Sequence, residues 1–301
     1  MRMPITPPHT AITGLLVAAT VMLTAACGSP TSTVAEPASE AKFDQALHDR
    51  LPPAVLERGV IRVGTDASYP PMSTFAPDGR TIIGMEPDLG AAIGQVLGVR
   101  VEFVNSNFTT LLADVAGGEL DLGMSAMTDT AERARTVDFV NYFSAGTSIV
   151  VQHGNPAGIT DIQDLCGHVV AVEAGTTQVD LLTRTQANCA NGPIIMKTFE
   201  TNSDALLQLR TGRAVALLND LPTAVFLVTD SRTRAHYQLA STTQYEPGLY
   251  GILVAQRQLG LRDAVQGALE ELVQSGVYDD VLTEWGTREG AIERVSINSD
   301  R

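Results

Sequence analysis

The stretch LLADVAGGELDLGM, residues 111–124, has a counterpart 94 positions later in ALLQLRTGRAVALL, residues 205–218. In the first copy apolar residues at helical spacing occupy 111–116, Gly117-Gly118 stop the helix, and the run 120–124 has strand character. In the second, 205–210 is helical, Gly212 ends it, and the predicted strand 214–218 stops at Asn219-Asp220. Leu112, Val115 and Gly118 fall on Leu206, Leu209 and Gly212 at the single offset. A helix–glycine–strand unit carried once by each half is explained most economically by two related α/β lobes.

Working outward, β-rich runs predict further strands over 60–65 (VIRVGT), 99–104 and 169–172 (VVAV). Helices are expected over 88–97, opening at 130–136, and over 262–285 with a break at Gly276. A short helix before residue 60 is opened by Pro52-Pro53 and stopped by Gly59. The 301 residues, 44% apolar and 18% charged, suffice for two lobes with a core each. Net charge is −14, with two lysines (Lys42, Lys197) against eighteen arginines. Such an acidic chain is repelled by nucleic acid and by an anionic membrane surface, so neither is expected as a partner.

Residues 1–26 read as a signal peptide, with Arg2 the only charged residue before Glu36 and an apolar run over 14–26 too short to span a bilayer. Thr24-Ala25-Ala26-Cys27 resembles a bacterial lipobox, in which Cys27 is acylated and becomes the mature N-terminus. Residues 27–42, rich in Ser, Thr, Pro and Ala, are expected to form a flexible tether. With Cys27 so used, Cys166 and Cys189 remain as a single pair in an oxidising compartment, to be joined or left as two buried thiols.

Ligands of open α/β sheets bind at the carboxyl ends of the strands. Those ends deliver Asp66, then Ser125, Thr128 and Arg133, then Glu173 and the turn Gly175-Thr176-Thr177-Gln178, and finally Asn219 and Asp220. One fixed cation, several hydroxyls and amides, and three carboxylates are what an α-amino acid needs at its two ends. Each group also has a plainer reading. Asp129 and Glu132 make a D-x-x-E capping box, Asp220 before Leu221-Pro222 suits an N-cap, and Tyr69 and Phe108 suit a core. Arg133 is the exception, because a cation in a helix's first turn opposes the macrodipole.

The segments VGTDASYPP, LGVRVEFV, LDLGMSAMTDTAERARTVDFVNYFSAGTS, LCGHVVAVEAGTTQ, LLNDLPTA and GVYDDVLTEWG together resemble the family 3 bacterial extracellular solute-binding proteins, over residues 55–292. The resemblance implies a type II periplasmic-binding-protein fold, two α/β lobes joined by two crossing strands. Lobe 1 would take 43–145 plus 249–301, lobe 2 would take 146–248, and the hinges would lie near 143–147 and 246–250. It implies Arg133 and Thr128 for the ligand carboxylate, Thr177 with Gln178 beside it from the second lobe, and Asp220 for the ammonium. Asp66 and Glu173 are implied near the ligand's side chain, Tyr69 as an aromatic lid and Phe108 as a ring beneath. Ala126, where many members have Gly or Ser, contributes its backbone alone. The Cys166–Cys189 pair is similar to a disulfide of many relatives.

The function implied is capture of a polar or cationic amino acid for ABC permease subunits driven by a cytoplasmic ATPase. The protein is expected as a monomer without cofactor or metal, extracytoplasmic and lipid-anchored to the outer face of the cell membrane. Two other classes compete, a surface lipoprotein that senses its ligand and a dehydratase-type enzyme on the same fold. No H-E-x-x-H, phosphate loop or Ser/His/Asp order supports an enzyme.

Overall fold

A strand with parallel neighbours on both sides is covered on both faces, and the run VIRVGT buries five of its six residues as Val60–Thr65. It pairs in parallel with Arg100–Asn105 on one side and with Leu122–Gly123 on the other. In the computed structural model, which describes residues 41–298, this three-strand unit recurs. Val169–Glu173 lies between parallel Ile195–Phe199 and Ala216–Asp220. Leu122 and Ala216, the first residues of the two inner strands, keep the 94-residue offset of the sequence repeat. Gly118 and Gly212, the matched helix stops, both adopt left-handed backbone, φ 90° and 69°, which glycine enters without steric cost.

Two long antiparallel strands, Val137–Gln152 and Tyr245–Ala255, lie between the units. Tyr245–Ala255 borders Leu122–Gly123, and Val137–Gln152 borders Ala216–Asp220, so one curled sheet runs through both units. The ladder between them is irregular between Tyr245 and Gly248 and again between Tyr250 and Gly251, and Glu246 has φ +47°. Apolar clusters fall into two groups. One draws on residues 47–145 and 250–295, around Leu89, Tyr142 and Leu269. The other draws on 149–237, around Val172, Leu182 and Leu217.

Several expectations are corrected. The helix expected from residue 130 is only the 3₁₀ turn Arg133–Arg135. Asp129 does not act as its capping box; it accepts a hydrogen bond from Asn141 Nδ2. The strand expected over 214–218 is Ala216–Asp220, which puts Asn219 and Asp220 inside the sheet edge rather than beyond it. The strand expected over 120–124 is reduced to Leu122–Gly123. Met85–Leu97 starts three residues earlier than its periodicity indicates, and the C-terminal helix does break at Gly276, into Leu259–Ser275 and Val277–Glu284. The signal segment, Cys27 and the tether up to residue 40 lie outside the described residues.

Cys166 and Cys189 form a disulfide with a sequence separation of 23, enclosing Val169–Glu173 and the helix Thr177–Gln186. A loop of this length restricts the unfolded chain by about 3 kcal/mol in the chain-entropy model. Cys166→Ser, Cys189→Ser together are expected to lower stability by about that amount in denaturant titrations, with the fold retained.

Candidate functional site

Four strands end at one place. Asp66 follows Val60–Thr65, residues 125–128 follow Leu122–Gly123, and Glu173 and Asp220 are the last residues of their own strands. These ends meet across a cavity with about 340 Å³ of empty volume. Asp66, Tyr69, Phe108, Ala126, Thr128, Arg133, Glu173, Thr177, Gln178 and Asp220, all expected from the sequence, line it together with Ser125 and Thr176.

Arg133 spans the two halves. Its Nη1 donates to the carbonyl of Thr128 at 2.9 Å and its Nη2 to the carbonyl of Gly175 at 2.8 Å. Its guanidinium carbon stands 5.7 Å from the centre of the Phe108 ring, within cation–π range. Burial draws the guanidinium pKa down, against the opposing pull of Asp180, Asp220 and Glu132. Beside it the helix Thr177–Gln186 begins, and its N-cap Thr176 makes no side-chain cap bond. A guanidinium next to a helix N-terminus is suited to a carboxylate.

Asp220 occupies the N-cap of Leu221–Thr229, yet its side chain does not cap that helix. The carboxylate turns into the cavity and accepts from Gln178 Nε2 at 2.6 Å. Its backbone N–H donates to the Tyr69 hydroxyl at 2.9 Å, a bond that crosses between the halves. Burial lifts Asp220 to about 6, opposed by the nearby Tyr250 and Tyr69 hydroxyls, by the charge of Arg133 and by the Gln178 amide. Near neutrality it is an anion with acceptor capacity to spare, the counterpart an ammonium needs. Gln178, expected beside the ligand carboxylate, spends its amide on orienting Asp220.

The third charged cluster comprises Asp66 and Glu173, each 5% exposed. The Asp66 N–H donates to Ser125 Oγ at 2.9 Å, and Asp66 Oδ1 accepts from the Ser68 N–H at 2.8 Å. Asp66 Oδ2 and Glu173 Oε1 are buried without a hydrogen-bond partner. Burial, then the adjoining Asp66 and Asp220, push Glu173 up to about 10, so it is a neutral acid at physiological pH.

Sequence reasoning missed the support behind the site. Glu86 is fully buried and accepts hydrogen bonds from Ser73 Oγ, from the Ala126 N–H and from the Tyr142 hydroxyl. It thereby holds Ala126 at φ +47°, a backbone that L-residues enter at a cost. Glu86 lies two residues before the helix expected over 88–97, and in the observed Met85–Leu97 it sits in the first turn, where a carboxylate is unremarkable. Tyr69 departs from a simple lid, since its hydroxyl is bonded across the cleft. A third crossing contact joins Asn202 to Ser68, N–H to Oγ at 3.0 Å and Nδ2 to the carbonyl at 3.3 Å. Among the described residues no cluster of His, Cys, Asp and Glu is arranged to hold a metal ion, and no helix is long and apolar enough to cross a membrane.

A cavity completed only when two α/β halves meet over shared strands belongs to a bilobal binding protein of the type II periplasmic-binding-protein fold. The bacterial extracellular solute-binding proteins, family 3, match residues 61–288, and the chain belongs to that family. It is 31% identical to the arginine-binding protein ArgT of Corynebacterium glutamicum, over 82% of this chain and 81% of the relative. It is 27% identical to the ABC transporter glutamine-binding protein GlnH of Bacillus subtilis, over 88% of this chain and 92% of the relative. An ancestral arginine-binding protein bound to glutamine superposes with a TM-score of 0.70 at 33% identity, covering 76% of this chain and 99% of that one.

The neutral state of Glu173 has a thermodynamic signature. Unfolded, this glutamate titrates near 4.5; folded, near 10. Between those values the folded protein holds a proton that the unfolded chain has released, so stability from this group falls as pH rises through the window. The cost at pH 7 reaches roughly 3 kcal/mol. Glu173→Gln removes it, and its thermal midpoint is expected to exceed that of the wild type by several degrees more at pH 8 than at pH 5. An equal difference at both pH values would contradict the assignment.

Proposed function

We propose that this protein is the extracytoplasmic substrate-binding component of an amino acid ABC importer, closing two lobes on a single zwitterion. The carrying observation is the arrangement of Arg133 and Asp220, a desolvated cation and a desolvated anion from opposite halves lining one cavity. Arg133, Thr128 and the start of Thr177–Gln186 take the carboxylate, Asp220 takes the ammonium, and Phe108 and Tyr69 flank the ligand. Asp66 and Glu173 face its side chain, favouring arginine, lysine, histidine or glutamine over leucine or glutamate. Desolvating those groups against an apolar side chain is uncompensated, and a second acid adds repulsion. Lobe 1 comprises 43–145 plus 249–301 and lobe 2 comprises 146–248, with hinges at the irregular ladder positions near 246–250 and the facing 143–147. The permease and its ATPase read the closed state.

The protein works as a monomer held to the outer face of the membrane by acylated Cys27 and a tether. A dehydratase reading draws on the neutral Glu173 as a proton donor, but an acid near 10 releases its proton too reluctantly for efficient catalysis near pH 7. The relatives' names are those of binding proteins.

A thermal-shift screen of the twenty amino acids tests the reading, since a ligand at 100 Kd adds about 2.7 kcal/mol. Arg133→Ala and Asp220→Ala are each expected to fold normally and to lose about 30- to 5,000-fold in affinity, the roughly 2–5 kcal/mol of an unpaired desolvated charge. Because Asp220 must be ionised to pair with the ammonium and titrates at about 6, affinity is expected to fall below that pH, approaching tenfold per pH unit. Wild-type affinity in either variant, or a flat profile from pH 7 to 4.5, would sink the assignment. Cys27→Ser is expected to move the protein from the membrane to the soluble fraction; unchanged retention would refute the anchor.

A further inference from the structure

Two carboxyl groups from opposite halves share one wall of the cleft, and neither is bonded to Arg133, whose guanidinium is engaged by Thr128 and Gly175. The ionisable side chains lining the cavity are Asp66, Tyr69, Arg133, Glu173 and Asp220, with no lysine or histidine among them. With all three carboxyls ionised against one guanidinium, the cavity would carry −2. Like charges side by side out of water do not all ionise, and the proton settles on the group with the weakest support. Asp220 has the Gln178 amide and the field of Arg133. Asp66 has the Ser68 N–H. Glu173 has Asp66 and Asp220 as its charged neighbours, and its Oε1 is an unpartnered acceptor.

Resting on the reading of this cleft as an amino acid site, we propose that Glu173 takes part in capture as a neutral carboxylic acid. Asp66 is then the one anion facing the ligand's side chain. The cleft so charged carries −1, the zwitterion adds nothing, and a side chain with a single positive charge neutralises it. A guanidinium or ammonium has donors only, and it meets two acceptors with none yet bound, Asp66 Oδ2 and Glu173 Oε1. An arriving cation lowers a carboxyl pKa by about 1–3 units, which from about 10 leaves Glu173 protonated at neutral pH. Capture of the cation therefore releases no proton from this pair.

Titration calorimetry of the full protein at pH 7.0, with L-arginine in phosphate and in imidazole buffer, counts the protons exchanged. L-citrulline serves as the neutral near-isostere. Fewer than about 0.3 protons are expected to exchange, the residue coming from Asp220. Arginine is expected to bind at least tenfold tighter than citrulline. Asp66→Asn is expected to reduce that ratio at least tenfold, and Glu173→Gln to reduce it less. Release of nearly one proton by the wild type overturns the proposal whether or not the variants fold. So does a ratio erased as completely by Glu173→Gln as by Asp66→Asn, or a wild type indifferent between the two ligands. Failure of every amino acid to bind would overturn the functional reading, and this inference with it.

Discussion

The antiparallel ladder between Val137–Gln152 and Tyr245–Ala255 is the element that both halves have in common. Each half extends the sheet from one side of this pair, so the distance between Asp66 and Glu173, or between Arg133 and Asp220, is set by how the pair twists. A continuous hydrogen-bonded ladder resists sliding, since a shift by one residue would turn every buried side chain outward. It yields by bending where its register is already broken, near Glu246–Gly248 and at Tyr250/Gly251. On the proposed function this line is where the cleft hinges, and the charged groups on each side move with their own half.

The charges themselves are expensive to keep. Asp66, Glu173 and Asp220 are each no more than 6% exposed, and Arg133 is half-buried. The protein meets that cost in three ways. Fixed donors support Asp220, carbonyls from both halves support Arg133, and a retained proton supports Glu173. Each device leaves capacity unused, such as the free oxygen on Asp66. A ligand supplies what is missing. The same logic recurs behind the cleft, where Glu86 is stabilised by three donors and in return fixes the strained Ala126 backbone. That site is filled by the protein and needs no ligand.

The two-lobed plan was legible because the helix–glycine–strand unit is local: helical spacing, a glycine with positive φ and a short apolar run all lie within fourteen residues. Most residues that line the cavity were legible because strand ends can be counted along the chain, whereas Tyr69, Phe108 and Ala126 came from the family resemblance. What escaped was set by distant partners. The turn at Arg133–Arg135 has the capping chemistry of a helix, but Asp129 is bonded to Asn141 and the chain passes at once into Val137–Gln152. The extent of the two long strands follows from their pairing with each other, about a hundred residues apart in sequence. Glu86 holds the Ala126 backbone from behind the cavity, and Gln178, though it lines the cavity, spends its amide on Asp220; no spacing rule registers such support. The Cys166–Cys189 bond was one of two readings open to the residues until the fold brought the pair together.

The bonds between Ser68 and Asn202, Tyr69 and Asp220, and Arg133 and Gly175 shut the cleft using the protein's own atoms. In the proposed cycle these contacts must part before cargo enters. Cargo enters only through the fraction that stands ajar, and both the association rate and the apparent affinity scale with that fraction. A stronger latch therefore slows loading and raises the number of empty molecules presenting a loaded shape to the transporter. A weaker one hastens loading but leaves more of the closing to the cargo. In the proposed importer the three contacts would set timing as well as structure, and Ser68 and Asn202, which do not line the cavity, are where that timing could change without altering what is carried.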